Sequence, residues 1–138
     1  MTAITINKPV DDARRWRTVA AASIGNALEW FDFIIYGFFA LTMAKLFFPT
    51  GDETVSLLLA LATFGVPFFM RPLGAIVIGN YADRHGRKAA FTLTILLMMV
   101  GTAIIAVAPT YATAGVFAPL IVLFARLVQG FSAGGEFG

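Results

Sequence analysis

Twenty successive residues, Ala89 to Ala108, carry no charge at all. An α-helix of about 20 apolar residues spans the hydrocarbon core of a bilayer, so this run can cross one unaided. Three further apolar stretches run from about 18 to 43, 55 to 80 and 115 to 138, with short polar connections between them. The fold class expected is therefore all-α: a polytopic transmembrane helix bundle with four spans. Composition agrees, since 13% of the residues are charged against roughly 25% in a soluble domain.

The first span follows a polar tail, residues 1–17, that contains Lys8, Arg14, Arg15 and Arg17. A secretory signal also begins with basic residues, but its apolar region is only about 7–15 residues long and ends at a cleavage site. The longer stretch here is a retained span. Seven Lys and Arg residues (Lys8, Arg14, Arg15, Arg17, Arg84, Arg87 and Lys88) lie in the tail and the second connection, and only Lys45 lies near the first connection. The positive-inside rule then predicts a cytoplasmic N-terminus and a cytoplasmic connection at 79–88, in a multi-pass membrane protein.

The same charges exclude other classes. A formal charge of +2, with its basic residues at membrane edges rather than in a stripe, predicts no nucleic-acid partner. Without cysteine, and with His85 as the one histidine, no ordinary Cys/His metal site is expected. No cofactor is expected either. Gly130-Phe131-Ser132-Ala133-Gly134 fits the G-x-S-x-G pattern of serine hydrolases, but that motif needs a strand-to-helix turn and a histidine within reach. Here it falls inside a span. The four-residue spacing of Gly130, Gly134 and Gly138 predicts a close-packing helix surface instead, and no catalytic residues are assigned.

Five ionisable residues fall within the expected spans: Glu29, Asp32, Arg71, Arg126 and Glu136. Charges at membrane depth are costly, so they face partners or wet cavities and are functional by default. Glu29 lies about 11 residues into the first span, or about 16 Å along a helix, near the midplane. Gly25, Glu29, Asp32 and Tyr36 share one helix face, while Trp30, Phe31, Ile34 and Phe38 cover much of the rest. Two carboxylates one turn apart repel, so one of them could hold a proton near neutral pH, as proton coupling requires. On the other spans Arg71 precedes Pro72, with Gly74 and Ala75 on its face, and Arg126 shares a side with Gln129, Gly130 and Ala133. A guanidinium can grip a carboxylate through paired hydrogen bonds, which suits Arg126 to an anionic substrate. The competing expectation is that Glu29 and Asp32 merely neutralise Arg71 and Arg126 in a static network.

The decapeptide Gly79-Asn80-Tyr81-Ala82-Asp83-Arg84-His85-Gly86-Arg87-Lys88 resembles the cytoplasmic signature between the second and third helices of the major facilitator superfamily. Tyr81 departs from it, standing where a smaller aliphatic residue is usual. Arg126-Leu127-Val128-Gln129-Gly130 resembles the fourth-helix R-x-x-Q-G motif of the same superfamily. A narrower resemblance, to the metabolite:proton symporters that carry proline or betaine, citrate, 2-oxoglutarate and shikimate, rests on three segments: Gly25 to Phe33, Arg71 to Gly74, and Gln129 to Glu136.

That resemblance implies a secondary active transporter for a small organic acid or zwitterion, driven by protons, with twelve helices in two halves and substrate between them. Residues 18–138 would be the N-terminal part of that domain, with further C-terminal helices of the same transporter as their partners. Glu29 and Asp32 would handle protons. Arg71, Arg126, Gln129 and, less centrally, Glu136 would bind substrate or balance charge. Gly79, Asp83, Arg84, Gly86, Arg87 and Lys88 would form a cytoplasmic gating motif, although the basic residues could equally serve only to fix topology. Two rivals stay open: a complete four-helix carrier working as a dimer, like the small multidrug resistance proteins, and an assembly subunit with static charge pairs.

Overall fold

The computed structural model describes residues 12–137, so Lys8 and Gly138 lie outside it. The described residues form six helices and no strand: α1 (Asp12–Phe38), α2 (Ala40–Phe47), α3 (Glu53–His85), α4 (Arg87–Val107), a single turn α5 (Tyr111–Ala114) and α6 (Phe117–Phe137). Three of these helices, α3, α4 and α6, are long and apolar enough to cross a membrane, and α1 with α2 makes a fourth if the pair counts as one span.

The stretch expected as one first span, 18–43, is two helices that bend by 68° at Phe39. Phe39 leaves helical geometry (φ −91°, ψ 13°) two residues after Gly37. Glycine there removes side-chain packing along the helix and lowers its local stability. The helical part also begins earlier than expected, so Arg14, Arg15 and Arg17 sit on α1.

The connections differ in how they end their helices. Asp52 caps α3, its carboxylate accepting hydrogen bonds from the backbone N–H of Thr54 at 2.8 Å and of Val55 at 3.3 Å. This satisfies two of the donors that a helix start leaves unpaired. At the other end α3 runs through most of the expected 79–88 loop, and a single residue, Gly86, separates it from α4. Gly86 has φ 91° and ψ 152°, a region almost closed to residues with a Cβ. The glycine thus lets two long helices meet with no true loop between them.

Helix α6 is the centre of the bundle. Half of its most apolar stretch is buried, against 22% for α3 and 17% for α4. Its glycines explain how it gets there. A Cβ at Gly130 would overlap the Pro67 backbone, one at Gly134 the Arg71 carbonyl, and one on Gly74 of α3 the Phe131 carbonyl. Small residues at this crossing let two backbones approach closely, which is the main route to tight helix packing in lipid. The G-x-S-x-G segment is therefore a packing surface, as expected. Ser132 donates its hydroxyl proton to the Thr94 carbonyl of α4.

Helix α1 lies mostly at the surface, with only Glu29 and Tyr36 buried. Trp30, Phe31, Ile34 and Phe38 are all at least 60% exposed, as a lipid-facing aromatic surface would be. Polar and aromatic contacts, rather than a wide apolar seam, hold α1 to the bundle.

Candidate functional site

The polar face of α1 meets two arginines. On α3, Arg71 donates from Nη2 to Glu29 Oε1 at 2.8 Å. On α6, Arg126 donates from Nη1 to Asp32 Oδ2 at 2.8 Å. Each acid therefore takes its own arginine, and the two pairs tie α1 to two different helices. Glu29 and Asp32 are one turn apart in sequence, so α1 has to present this face for either pair to form.

The pairs differ in burial. Arg126 is 2% exposed and is enclosed by polar and aromatic groups. Its Nη1 also donates to Gln129 Oε1 at 2.9 Å, and Gln129 Nε2 passes the network on to Thr102 Oγ1 of α4 at 3.1 Å. The guanidinium lies over the Tyr36 ring, 3.8 Å from Cζ to the ring centre. The Arg71 side chain is 25% exposed and sits over two rings, Phe68 at 4.8 Å and Phe33 at 5.2 Å. One arginine is sealed and the other partly open.

Glu136, at the exposed end of α6, is brought to the first pair rather than the second. Its carboxyl group lies beside that of Glu29 and in the field of Arg71. It also lies near Gly25 of α1, where an added Cβ would stand 3.9 Å from Glu136 Oε1. The acid set against Glu29 is thus Glu136, from another helix, while Asp32 pairs away with Arg126.

The 79–88 residues form a separate patch. Asp83, Arg84, Arg87 and Lys88 are exposed, Gly79 is half-buried, and among the described residues none of the four charged groups makes an ion pair. Tyr81 stacks on His85, one turn away, at 4.4 Å between ring centres. The third ion pair, Lys45–Glu53 at 3.3 Å, lies exposed across the α2–α3 connection and contributes little.

Several groups around the arginines carried no role in the sequence reading: Phe33, Phe68 and Thr102, and Tyr36 beyond its place on the polar face. Phe33 stands four residues after Glu29 and Phe68 three before Arg71, so both share a helix face with a charge. That spacing was a usable signal. Thr102 gave none, because a lone hydroxyl in an apolar span commonly bonds its own backbone.

Comparison with known proteins decides the family. The sequence profile of the family described as "Sugar (and other) transporter" matches residues 18–138. The chain belongs to this family, part of the major facilitator superfamily. The chain is 46% identical over 128 residues to a proline/betaine transporter of Salmonella typhimurium, covering 93% of this chain and 26% of the relative. It is 45% identical to the alpha-ketoglutarate permease of Escherichia coli K12, covering 93% of this chain and 30% of that protein. A citrate-proton symporter of Klebsiella pneumoniae is 50% identical over 114 residues, 83% of this chain and 26% of the relative. The chain thus spans about a quarter of the length of these curated relatives. They are transporters and not enzymes. No solved structure matches.

Proposed function

We propose that this chain forms the N-terminal part of a proton-coupled symporter that carries a small organic acid or zwitterion across the inner membrane. The observation that carries the reading is the pair of carboxylate–guanidinium contacts joining α1 to α3 and to α6. A buried ion pair loses most of its attraction when its carboxylate takes a proton, so protonation and helix docking become linked. Glu29 and Asp32 are the proton-handling groups of this reading, with Glu136 as an adjoining acid, since two neighbouring carboxyl groups can hold one proton between them. The relatives' names, which include a citrate-proton symporter and a proline/betaine transporter, support both the coupling and the substrate class.

The partly open Arg71 suits contact with a substrate carboxylate, and the sealed Arg126 with Gln129 suits charge balance. Asp83 and Arg87, beside the Gly86 junction, would make and break contacts with neighbouring helix ends on the cytoplasmic side, where the N-terminus also lies. Helices beyond the quarter described here would complete the substrate cavity. The burial of Arg126 favours a second reading for that pair alone, a static strut.

The test is Glu29→Gln in the natural full-length protein, reconstituted in proteoliposomes. Glutamine keeps an acceptor for Arg71 but cannot ionise. Accumulation driven by a proton gradient should collapse to simple equilibration, while exchange of substrate across the membrane continues. Equal loss of both, with equal loss of folded protein, would mark Glu29 as structural.

A further inference from the structure

Arg126 is held by fewer hydrogen bonds than a buried guanidinium normally needs. Its Nη1 serves both Asp32 and Gln129, while its Nε is buried without a hydrogen-bond partner among the described residues. The pair with Asp32 is therefore a single contact from one nitrogen, not the two-pronged grip that fixes an arginine by itself. Something else has to set the plane of the group. The Tyr36 ring is the surface that does so, 3.8 Å from Cζ, and an aromatic face attracts a desolvated cation strongly.

Tyr36 is itself immobilised. It is 4% exposed, its hydroxyl donates to the Ala60 carbonyl of α3 at 3.2 Å, and its ring stacks on Phe64 at 5.7 Å with 18° between planes. It also stands one turn after Asp32 on α1, so the acid and the ring reach the same guanidinium from one helix. We propose that Tyr36 is a positioning residue of this site, its ring holding Arg126 in register with Asp32. If Asp32 takes up a proton, the ring contact is what keeps the guanidinium from leaving the site. The transport consequence rests on the function proposed above, but the contact itself does not.

Two measurements on the full-length protein test this. In proteoliposome uptake, Tyr36→Leu should lower the maximal rate roughly tenfold with little change in KM, whereas Tyr36→Phe, which keeps the ring, should retain most of the rate. In purified protein, unfolding of Tyr36→Leu, Arg126→Lys and their combination gives a double-mutant cycle. Lysine keeps a charge for Asp32 but lacks the flat group that stacks on a ring, so the combined loss should be clearly smaller than the sum. Additive losses, or a Tyr36→Phe variant as slow as Tyr36→Leu, would overturn the proposal. If the unaltered protein shows no uptake, the proposed function fails, and the unfolding cycle still decides whether the ring holds the arginine.

Discussion

Replacing Arg126 with alanine should cost the fold about 3–5 kcal/mol, the typical penalty for removing one member of a buried ion pair. Arg126 is among the largest fully buried side chains, and its loss strands two acceptors at once, Asp32 Oδ2 and Gln129 Oε1. Total stability of a folded protein is only about 5–15 kcal/mol, so the yield of folded protein in membranes should fall sharply. The charge explanation has its own control. Adding Asp32→Asn to the alanine variant removes the stranded negative charge and should recover part of the folded yield, measured by size-exclusion profile and melting temperature. Proton-driven uptake should not recover, because both members of the Asp32–Arg126 pair are gone. No recovery of folding would mean that the cavity, rather than the charge, dominates the loss.

Gly134→Ala should be nearly as damaging, for a different reason. The added methyl group would meet the carbonyl of Arg71 and the amide nitrogen of Ala75, both backbone atoms of α3. Overpacking typically costs about 1–3 kcal/mol, and backbone that cannot step aside puts this site at the upper end. The displacement would also move Arg71, whose own carbonyl is the obstacle, and so disturb its contact with Glu29. Gly65 offers the matched control within α3, since nothing stands within 4 Å of a Cβ placed there. Alanine at Gly65 should be neutral or raise stability by up to about 1 kcal/mol, the ordinary helix preference. A melting series on the two variants separates the outcomes, and equal behaviour would contradict the close crossing of α3 and α6.

Much of this architecture was legible in the residues. Hydropathy set out the apolar spans, and helical spacing put Glu29 and Asp32 on one face and Gly130 and Gly134 on another. What spacing cannot supply is how far one helix is rotated or shifted against the next. Which arginine takes which acid, and the meeting of Glu136 with Glu29, depend on that relative placement. The break at Phe39 was hidden for a similar reason. Residues 36–41 are apolar apart from Gly37, and an isolated glycine is a weak signal because helices often tolerate one. The Gly86 junction was read as a loop because charge density suggests solvent, yet charged residues at a membrane edge can stay helical. The aromatic faces over the arginines were missed because phenylalanine in a span is ordinarily lipid-facing.

In the function proposed for the full-length protein, substrate and proton cross together. The most direct test is the external pH of a lightly buffered suspension of proteoliposomes holding the full-length protein, recorded as substrate is added. Proline, betaine, citrate and 2-oxoglutarate form the panel. Symport predicts that the medium turns alkaline on addition of the right substrate, as protons enter with it, and that a protonophore abolishes the net signal. Substrate uptake with no accompanying pH change would contradict proton coupling and leave the buried ion pairs as structural struts.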